Sequence, residues 1–187
     1  MPGNAFIKFT NSSGGLIKGE SMQDSHPSEK GWLEINDWSW DIESETNYLK
    51  GTGAAVGVAT PGTFSFSHTF DKSSPEIMKN IVMGTSFKTA TVHMLKATGA
   101  SDGKPEVFFG LKMGDAFVVK VSSKAGEDGA ISQDVEFVFK AISMAYKRQD
   151  NNGKLVHKET QEFGWNIATK ESKAPSEIVV ALDPAKD

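Results

Sequence analysis

Alternating apolar and polar residues dominate the chain, and they predict β-strands. The segment Thr63–Phe70 places serine and threonine on one face and four larger side chains on the other, namely Phe64, Phe66, His68 and Phe70. Successive side chains of a strand point to opposite faces, so this alternation is typical of a strand buried on one side. We predict further strands at Ala5–Phe9, Trp32–Asp37, Ala90–Ala97, Val107–Met113, Ala116–Val121, Val135–Ile142 and Lys154–Thr160.

Turn residues separate many of these runs and favour an antiparallel arrangement. Gly114–Asp115, Gly126–Gly129 and Asp150–Gly153 are rich in glycine, aspartate and asparagine. Such closely spaced turns indicate a meander or barrel rather than βαβ units. Residues on the apolar faces are expected to fill the barrel core: Phe6, Ile35, Trp40, Phe64, Phe66, Phe70, Ile81, Leu95, Phe109, Leu111, Val119, Phe137 and Phe139.

One segment has helical periodicity instead. Ser73 and Ser74 offer a hydroxyl N-cap, Pro75 follows near the first helical position, and Glu76 supplies a first-turn carboxylate. Gly84 is the predicted stop. Between these signals lies one apolar stripe that we predict packs against the β structure, formed by Ile77, Met78, Ile81 and Val82.

Two stretches fall outside both patterns. Ser44–Gly62 has nineteen residues with four glycines, and loops of this length are usually functional or disordered. In the tail, residues 168–187, the run Ile178–Leu182 indicates partial order and one edge strand. We therefore predict a single domain over residues 1–187. Its class is mainly β: a compact antiparallel β-barrel with one short α-helix on its side and a long extended loop.

Composition restricts the classes of protein that fit. Hydrophobic residues make up 38%, and the 18 glycines bring the apolar fraction into the globular range, which excludes disorder as the main state. With 20 basic and 24 acidic residues, the chain lacks a strongly basic nucleic-acid footprint. Zero cysteines exclude disulfides, thiolate metal sites and a cysteine nucleophile. Neither a membrane-spanning apolar run nor a secretory signal peptide is evident, so if the protein leaves the cell we expect it to do so by another route, without a cleaved signal peptide.

Catalytic and cofactor chemistry finds little support in the residue pattern. The histidines His26, His68, His93 and His157 are far apart in sequence, without the spacing of a metal site. Asp24 and His26 flank Ser25, but this does not make a triad. The sequence therefore predicts no enzyme, no cofactor and no metal. A monomeric β-barrel that binds a small ligand or single-stranded nucleic acid is an alternative, although the aromatic strands lack interleaved Lys or Arg. A hydrolase on a β scaffold is a third, less favoured reading.

A series of short pieces carries a family resemblance. In chain order they are Phe6–Lys8, Ile17–Ser21, His26, Ile35, Trp38–Trp40, Phe70–Pro75, Met78, Lys96–Ala97, Glu136–Phe137, Phe139, Tyr146, Gln149–Asp150 and Gly164–Asn166. G-E-S alone is a weak signal, but W-S-W, D-K-S-S-P and a terminal G-W in this order are specific. Over roughly residues 5–167 the chain resembles the Hcp (hemolysin-coregulated protein) family, the inner-tube proteins of bacterial type VI secretion systems.

The resemblance implies a structural role. It implies six copies in a ring, rings stacked into a tube, and a lumen that carries or protects effector proteins. It implies a contractile sheath and a spike protein as partners, assembly in the bacterial cytoplasm, and export to the medium or a target cell. In the family, the long loop reaches toward the adjacent ring. Residues 47–60 occupy that position here, and our candidate ring-stacking residues are Asn47, Tyr48, Leu49, Lys50, Val56 and Val58.

Overall fold

The computed structural model describes residues 4–47, 55–99 and 103–187. Within these residues the chain forms eleven strands, one α-helix (α1, Ser74–Met83) and two 3-10 helices, Ser28–Lys30 and Ser176–Ile178. The strands are β1 Ala5–Asn11, β2 Trp32–Ile35, β3 Asp37–Ser39, β4 Ile42–Asn47, β5 Ala55–Pro61, β6 Phe64–Thr69, β7 Phe87–Lys96, β8 Glu106–Ala125, β9 Ile131–Val138, β10 Ala141–Gln149 and β11 Leu155–Asn166.

Antiparallel pairing joins most of these strands into one curled sheet. Its strands follow the order β2-β1-β7-β8-β9-β6-β3, and β10 pairs with both β8 and β11. The end strands β2 and β3 are consecutive along the chain, separated only by Asn36, whose N–H donates to the Ser67 carbonyl at 2.8 Å. Chain continuity therefore brings the two ends of the sheet together. The mainly β class and antiparallel arrangement predicted from sequence are confirmed.

The longest strand, β8, corrects two predicted boundaries. Gly114–Asp115 was expected to separate two strands, but β8 runs through both residues, with Asp115 at φ 51°. Aspartate tolerates this left-handed conformation, so the strand continues. Opposite β8, the predicted run Val135–Ile142 spans the end of β9 and the start of β10. Both strands face β8 in one register, which pairs Phe117 with Val138 and Gly114 with Ala141.

Phenylalanine side chains fill the interior of the curled sheet. The ring centroids of Phe9 and Phe87 are 4.6 Å apart, and those of Phe64 and Phe137 are 4.9 Å apart. Most of the predicted core is confirmed as buried, and Trp40, Ile81 and Phe109 pack against it while partly exposed. Two assignments are wrong: Phe70 is 37% exposed and Val119 is 49% exposed. Phe70 follows the end of β6, and Val119 sits at a bulge in β8 that turns it outward.

Helix α1 rests on the sheet along a narrower stripe than predicted. Ile77 is buried and Ile81 packs on the core, one turn apart. Met78 and Val82 are 41% and 85% exposed, so their assignment to the packed face is wrong. Each lies one residue beyond a packed isoleucine, which rotates it about 100° around the helix toward solvent. The predicted stop at Gly84 is confirmed by its left-handed φ of 63°.

The start of α1 differs from the predicted serine cap. Among the described residues, Ser73 occupies the N-cap position but makes no side-chain hydrogen bond to a helix amide. Instead, Asp71 Oδ1 accepts the Ser73 N–H at 2.9 Å and the Ser73 hydroxyl, while the Ser74 hydroxyl accepts the Asp71 N–H at 3.1 Å. The carboxylate, placed two residues earlier, organises the turn that leads into the helix.

The tail does not form the expected edge strand in the part of the chain that the structure describes. Ser176–Ile178 is a 3-10 helix, and the residues after it lie across β8 and β10. Ile178 and Val180 are buried, whereas Val179 between them is half exposed. The apolar run predicted burial correctly, but the burial comes from packing on a sheet face rather than from pairing at an edge.

Candidate assembly surface

The segment predicted as a long loop contains a separate hairpin. Strands β4 and β5 form a two-stranded sheet whose register pairs Ile42 with Pro61 and Ser44 with Ala59. The register shifts beyond Ser44, and its hydroxyl donates to the Gly57 carbonyl at 3.1 Å. This hairpin is set apart from the curled sheet.

The base of the hairpin is fixed to the body. Trp40 Nε1 donates to the Gly62 carbonyl at 3.2 Å, and the Trp40 ring lies 5.7 Å from Phe139. The Gly62 N–H donates to the Asp41 carbonyl at 2.9 Å. A Cβ at residue 62 would lie 2.0 Å from Asp41 Oδ1, so a larger residue here would displace the exposed Asp41 carboxylate. The hairpin therefore leaves the body from a defined anchor.

Three of the candidate ring-stacking residues, Asn47, Val56 and Val58, lie on this hairpin. Asn47 ends β4 and Val56 lies on β5, where the backbone pairs Asn47 with Ala55. Val58 is 69% exposed. Tyr48, Leu49 and Lys50 lie outside the described residues. Strands of this length extend about 20 Å, so the hairpin has the reach to touch a second molecule. Its role in stacking remains a prediction.

Other exposed apolar side chains occur on the body. On α1 these are Met78, Val82 and Met83, the last 61% exposed. On β10 and β11, Tyr146 and Phe163 are 41% and 40% exposed. Clustered apolar residues at a surface commonly mark contacts with other proteins. The apolar stripe of α1 was assigned wholly to the core, so sequence analysis missed the exposure of Met78 and Val82.

A buried polar chain joins three distant segments. The Ser25 hydroxyl lies 2.8 Å from His26 Nδ1, His26 Nε2 lies 3.0 Å from His93 Nδ1, and His93 Nε2 lies 3.2 Å from Asp187 Oδ2. An ionised carboxylate can only accept a hydrogen bond, so the contact with Asp187 needs a proton on His93 Nε2. Sequence spacing gave no sign of this contact between two histidines.

The buried series of Ser25, His26, His93 and Asp187 has the chemistry of a structural connection. Burial, with smaller contributions from His93 and Lys8, lowers the pKa of His26 to about 3. Such a histidine stays neutral near pH 7 and is a weak base, whereas a general base works best with a pKa near the working pH.

The described residues contain no group of three or more His, Cys, Asp or Glu able to hold a metal ion. In the same part of the chain, no helix is long and apolar enough to cross a membrane.

Comparison with known proteins now adds to this geometry. The family model described as "Type VI secretion system effector, Hcp" matches residues 6–146. A search of curated protein sequences finds no match. A structure described as a type six secretion system protein is 23% identical, with a TM-score of 0.78 over 90% of this chain and 98% of that one.

Two further solved structures have the same fold. Hcp1 from Salmonella typhimurium is 24% identical, with a TM-score of 0.66 over 90% of this chain and 98% of its own. A mutant of Hcp1 from the E. coli EAEC 042 pathovar is 21% identical, with a TM-score of 0.68 over 86% and 97%. At these identities the structures establish the fold, while the family rests on the sequence model.

Proposed function

The chain belongs to the Hcp family of type VI secretion system proteins, and from this premise we propose that it is a structural subunit of the secretion tube. The resemblance drawn from its sequence motifs is thereby confirmed. In the proposal, six copies close into a ring, rings stack end to end, and the lumen carries effector proteins. The sheath and the spike protein of the machine are its further partners, and its role involves no catalysis.

The observation that carries this proposal is the anchored hairpin. A two-stranded sheet that leaves the body of a small protein exposes backbone and side chains to solvent, and Val58 is 69% exposed on the lone chain. The anchor of Trp40 on Phe139 gives the hairpin a fixed origin. Contact with an adjacent ring accounts for both features, because it covers the exposed residues and needs a defined direction.

Ring closure needs a second kind of contact. Head-to-tail interfaces join two different patches of identical subunits and close when the rotation per subunit is right. The exposed apolar side chains on α1, including Val82, and those on β10–β11, including Tyr146 and Phe163, supply candidate patches. The number six itself comes from the family resemblance.

The test is the size and shape of the purified chain. We expect a mass near six times 20.2 kDa by light scattering, and rings with a central hole by negative-stain electron microscopy. Tubes at high protein concentration support end-to-end stacking. A monomer at every concentration contradicts the tube role and favours a barrel that binds a small ligand or single-stranded nucleic acid.

A further inference from the structure

Residues 174–187, here called the strap, lie in a shallow groove across β8, β10 and β11. Glycines form much of its floor. A Cβ on Gly110 would lie 2.8 Å from Leu182, one on Gly114 would lie 2.7 Å from Ile178, and one on Gly164 would lie 2.6 Å from the Ala174 nitrogen. All three glycines lie inside strands and leave space for the strap. A Cβ would press on strap side chains at Gly110 and Gly114 and on the strap backbone at Gly164.

Polar contacts fix the middle of the strap. The Ser143 hydroxyl donates to the Ile178 carbonyl and accepts the Val180 N–H at 2.8 Å. Ser143 is itself buried on β10. Leu182 continues the contact onto a small apolar cluster that includes Val107. These side-chain hydrogen bonds and packing contacts, rather than pairing with a strand, hold the strap in place.

The end of the strap, Asp187, lies among several hydrogen-bond donors. The Asp187 side chain is only 1% exposed, with Oδ1 3.1 Å from Lys112 Nζ and Oδ2 3.2 Å from His93 Nε2. Oδ2 also accepts the Ala181 N–H at 2.7 Å, and Lys8 Nζ donates to the main-chain oxygen of Asp187. A buried carboxylate needs such partners, and removing it leaves buried cations uncompensated.

The donors around Asp187 are oriented from behind by His26. Its Nε2 lies 3.0 Å from His93 Nδ1, and this contact orients the His93 ring so that the opposite nitrogen, Nε2, points at Asp187. The titratable groups that face Asp187 are Lys8 from β1, His93 from β7 and Lys112 from β8, with His26 behind His93. Lys30 acts on Lys8 from a greater distance.

We propose that Lys8, His93 and Lys112 form a carboxylate-binding site whose ligand is Asp187, and that this site latches the strap over β8, β10 and β11. The strap opens as a unit when the Asp187 carboxylate is neutralised or removed. Opening exposes the groove floor around Gly110, Gly114 and Ser143 while the curled sheet stays folded. This proposal concerns the isolated chain and does not depend on ring or tube formation.

Hydrogen exchange of single backbone amides tests the latch in the full chain. In Asp187→Asn, we expect exchange at Val180 to accelerate at least about tenfold, the effect of losing roughly 1.4 kcal/mol of protection. Val180 is decisive because its N–H bonds Ser143 and not Asp187. The matched control is Asp183→Asn, the same substitution at a carboxylate whose side chain is 44% exposed, and it should exchange like the wild type. Unchanged exchange at Val180 in Asp187→Asn overturns the proposal.

A second variant separates strap opening from general unfolding. Gly114→Val fills the space occupied by Ile178 and leaves Asp187 and its partners in place. We expect faster exchange at Val180 with full protection retained at Val92, which is buried in β7. If Val92 and Val180 lose protection together in both variants, the strap is an inseparable part of the fold and the latch does not exist.

Discussion

His26 Nε2 lies 3.0 Å from His93 Nδ1, and both side chains are fully buried. Phe6 stacks on His26 at 4.8 Å, and Trp32 meets it edge-on at 4.5 Å. A charged imidazolium is costly in such surroundings, so the fold selects the neutral form. The His26–His93 contact links the loop before β2 to β7, and the contact of His93 with Asp187 extends this link to the strap.

Acid should weaken the fold through His26. Its pKa falls from 6.5 in the unfolded chain to about 3 in the fold, so the unfolded chain binds more protons between these values. The stability contribution is complete above pH 6.5 and is lost as the pH falls toward 3. We expect a loss of about 2 kcal/mol in the free energy of unfolding between about pH 7.5 and pH 5, measured with urea.

Two variants isolate this effect from other acid-sensitive groups. His26→Gln removes the titrating ring, so its free energy of unfolding should fall by about 2 kcal/mol less than the wild type over that pH interval. His157→Gln removes a histidine whose side chain is 63% exposed and should keep the wild-type dependence. A wild-type pH dependence in His26→Gln contradicts the assignment.

Burial in the structure distinguishes Phe66 from Phe70, which the sequence alternation placed on the same face. Phe66 is 2% exposed and lies 5.9 Å from the ring of Phe9. Phe66→Ala should cost about 3–5 kcal/mol, as large-to-small changes in cores do. Phe70→Ala is the control, because Phe70 is 37% exposed, and it should cost less than about 1 kcal/mol. Wild-type stability in Phe66→Ala would show that the assigned face is wrong, and equal losses in the two variants would contradict their difference in burial.

The turn before α1 depends on an acceptor at residue 71. Asp71→Ala leaves the Ser73 N–H and hydroxyl without their partner, and should cost about 1 kcal/mol in thermal or urea unfolding. Asp71→Asn keeps an acceptor oxygen and should lie within about 0.5 kcal/mol of the wild type. If both substitutions are neutral, the helix start draws its stability from elsewhere.

The local alternation of residues predicts the strands, but it does not predict contacts between residues that are far apart in sequence. Period-two alternation located β6 because one face of that strand is buried and the other is partly exposed. The turn residues Gly114 and Asp115 led us to predict a strand break, because the sequence alone does not show that β9 and β10 pair with β8 in one register on either side of them. The His26–His93 contact joins residues far apart in sequence, and spacing cannot reveal it.

A subtler signal for the strap was present in the sequence. Gly110 and Gly114 lie on one face of β8, and Ala141, Ser143 and Ala145 share a face of β10. Small residues at alternate positions on neighbouring strands indicate a flat surface that another segment can approach closely. Combined with the apolar run of the tail, this pattern predicts packing across the sheet rather than pairing at its edge.

The exposed face of α1 offers a probe of ring closure. Val82 is 85% exposed, so Val82→Asp should change the free energy of unfolding of the lone chain by less than about 0.5 kcal/mol. If α1 forms a subunit contact, the added charge will shift the mass in light scattering from rings toward monomers. Ser12→Asp adds the same charge at an exposed polar turn and should leave rings intact. Unchanged ring mass in Val82→Asp places the contact away from this residue.

The last prediction concerns stacking through the β4–β5 hairpin. Replacing residues 47–58 with a short Gly/Ser turn removes the last residue of β4 and the first four of β5. It keeps the pair of Ser44 with Ala59 and the anchor of Trp40 on Gly62. Because the hairpin forms its own sheet, the curled sheet should stay folded and the rings should stay closed. End-to-end stacking and secretion by the assembled machine should be lost.

Electron microscopy and a secretion assay on the same variant decide the matter. Val58→Asp is the narrower change, placing a charge on a side chain that is 69% exposed in the lone chain, and it should shorten tubes without opening rings. Long tubes with normal secretion from the shortened hairpin contradict the stacking role. Loss of the rings themselves assigns the hairpin to contacts within a ring, because a stacking element that touches only the next ring is not needed to close its own.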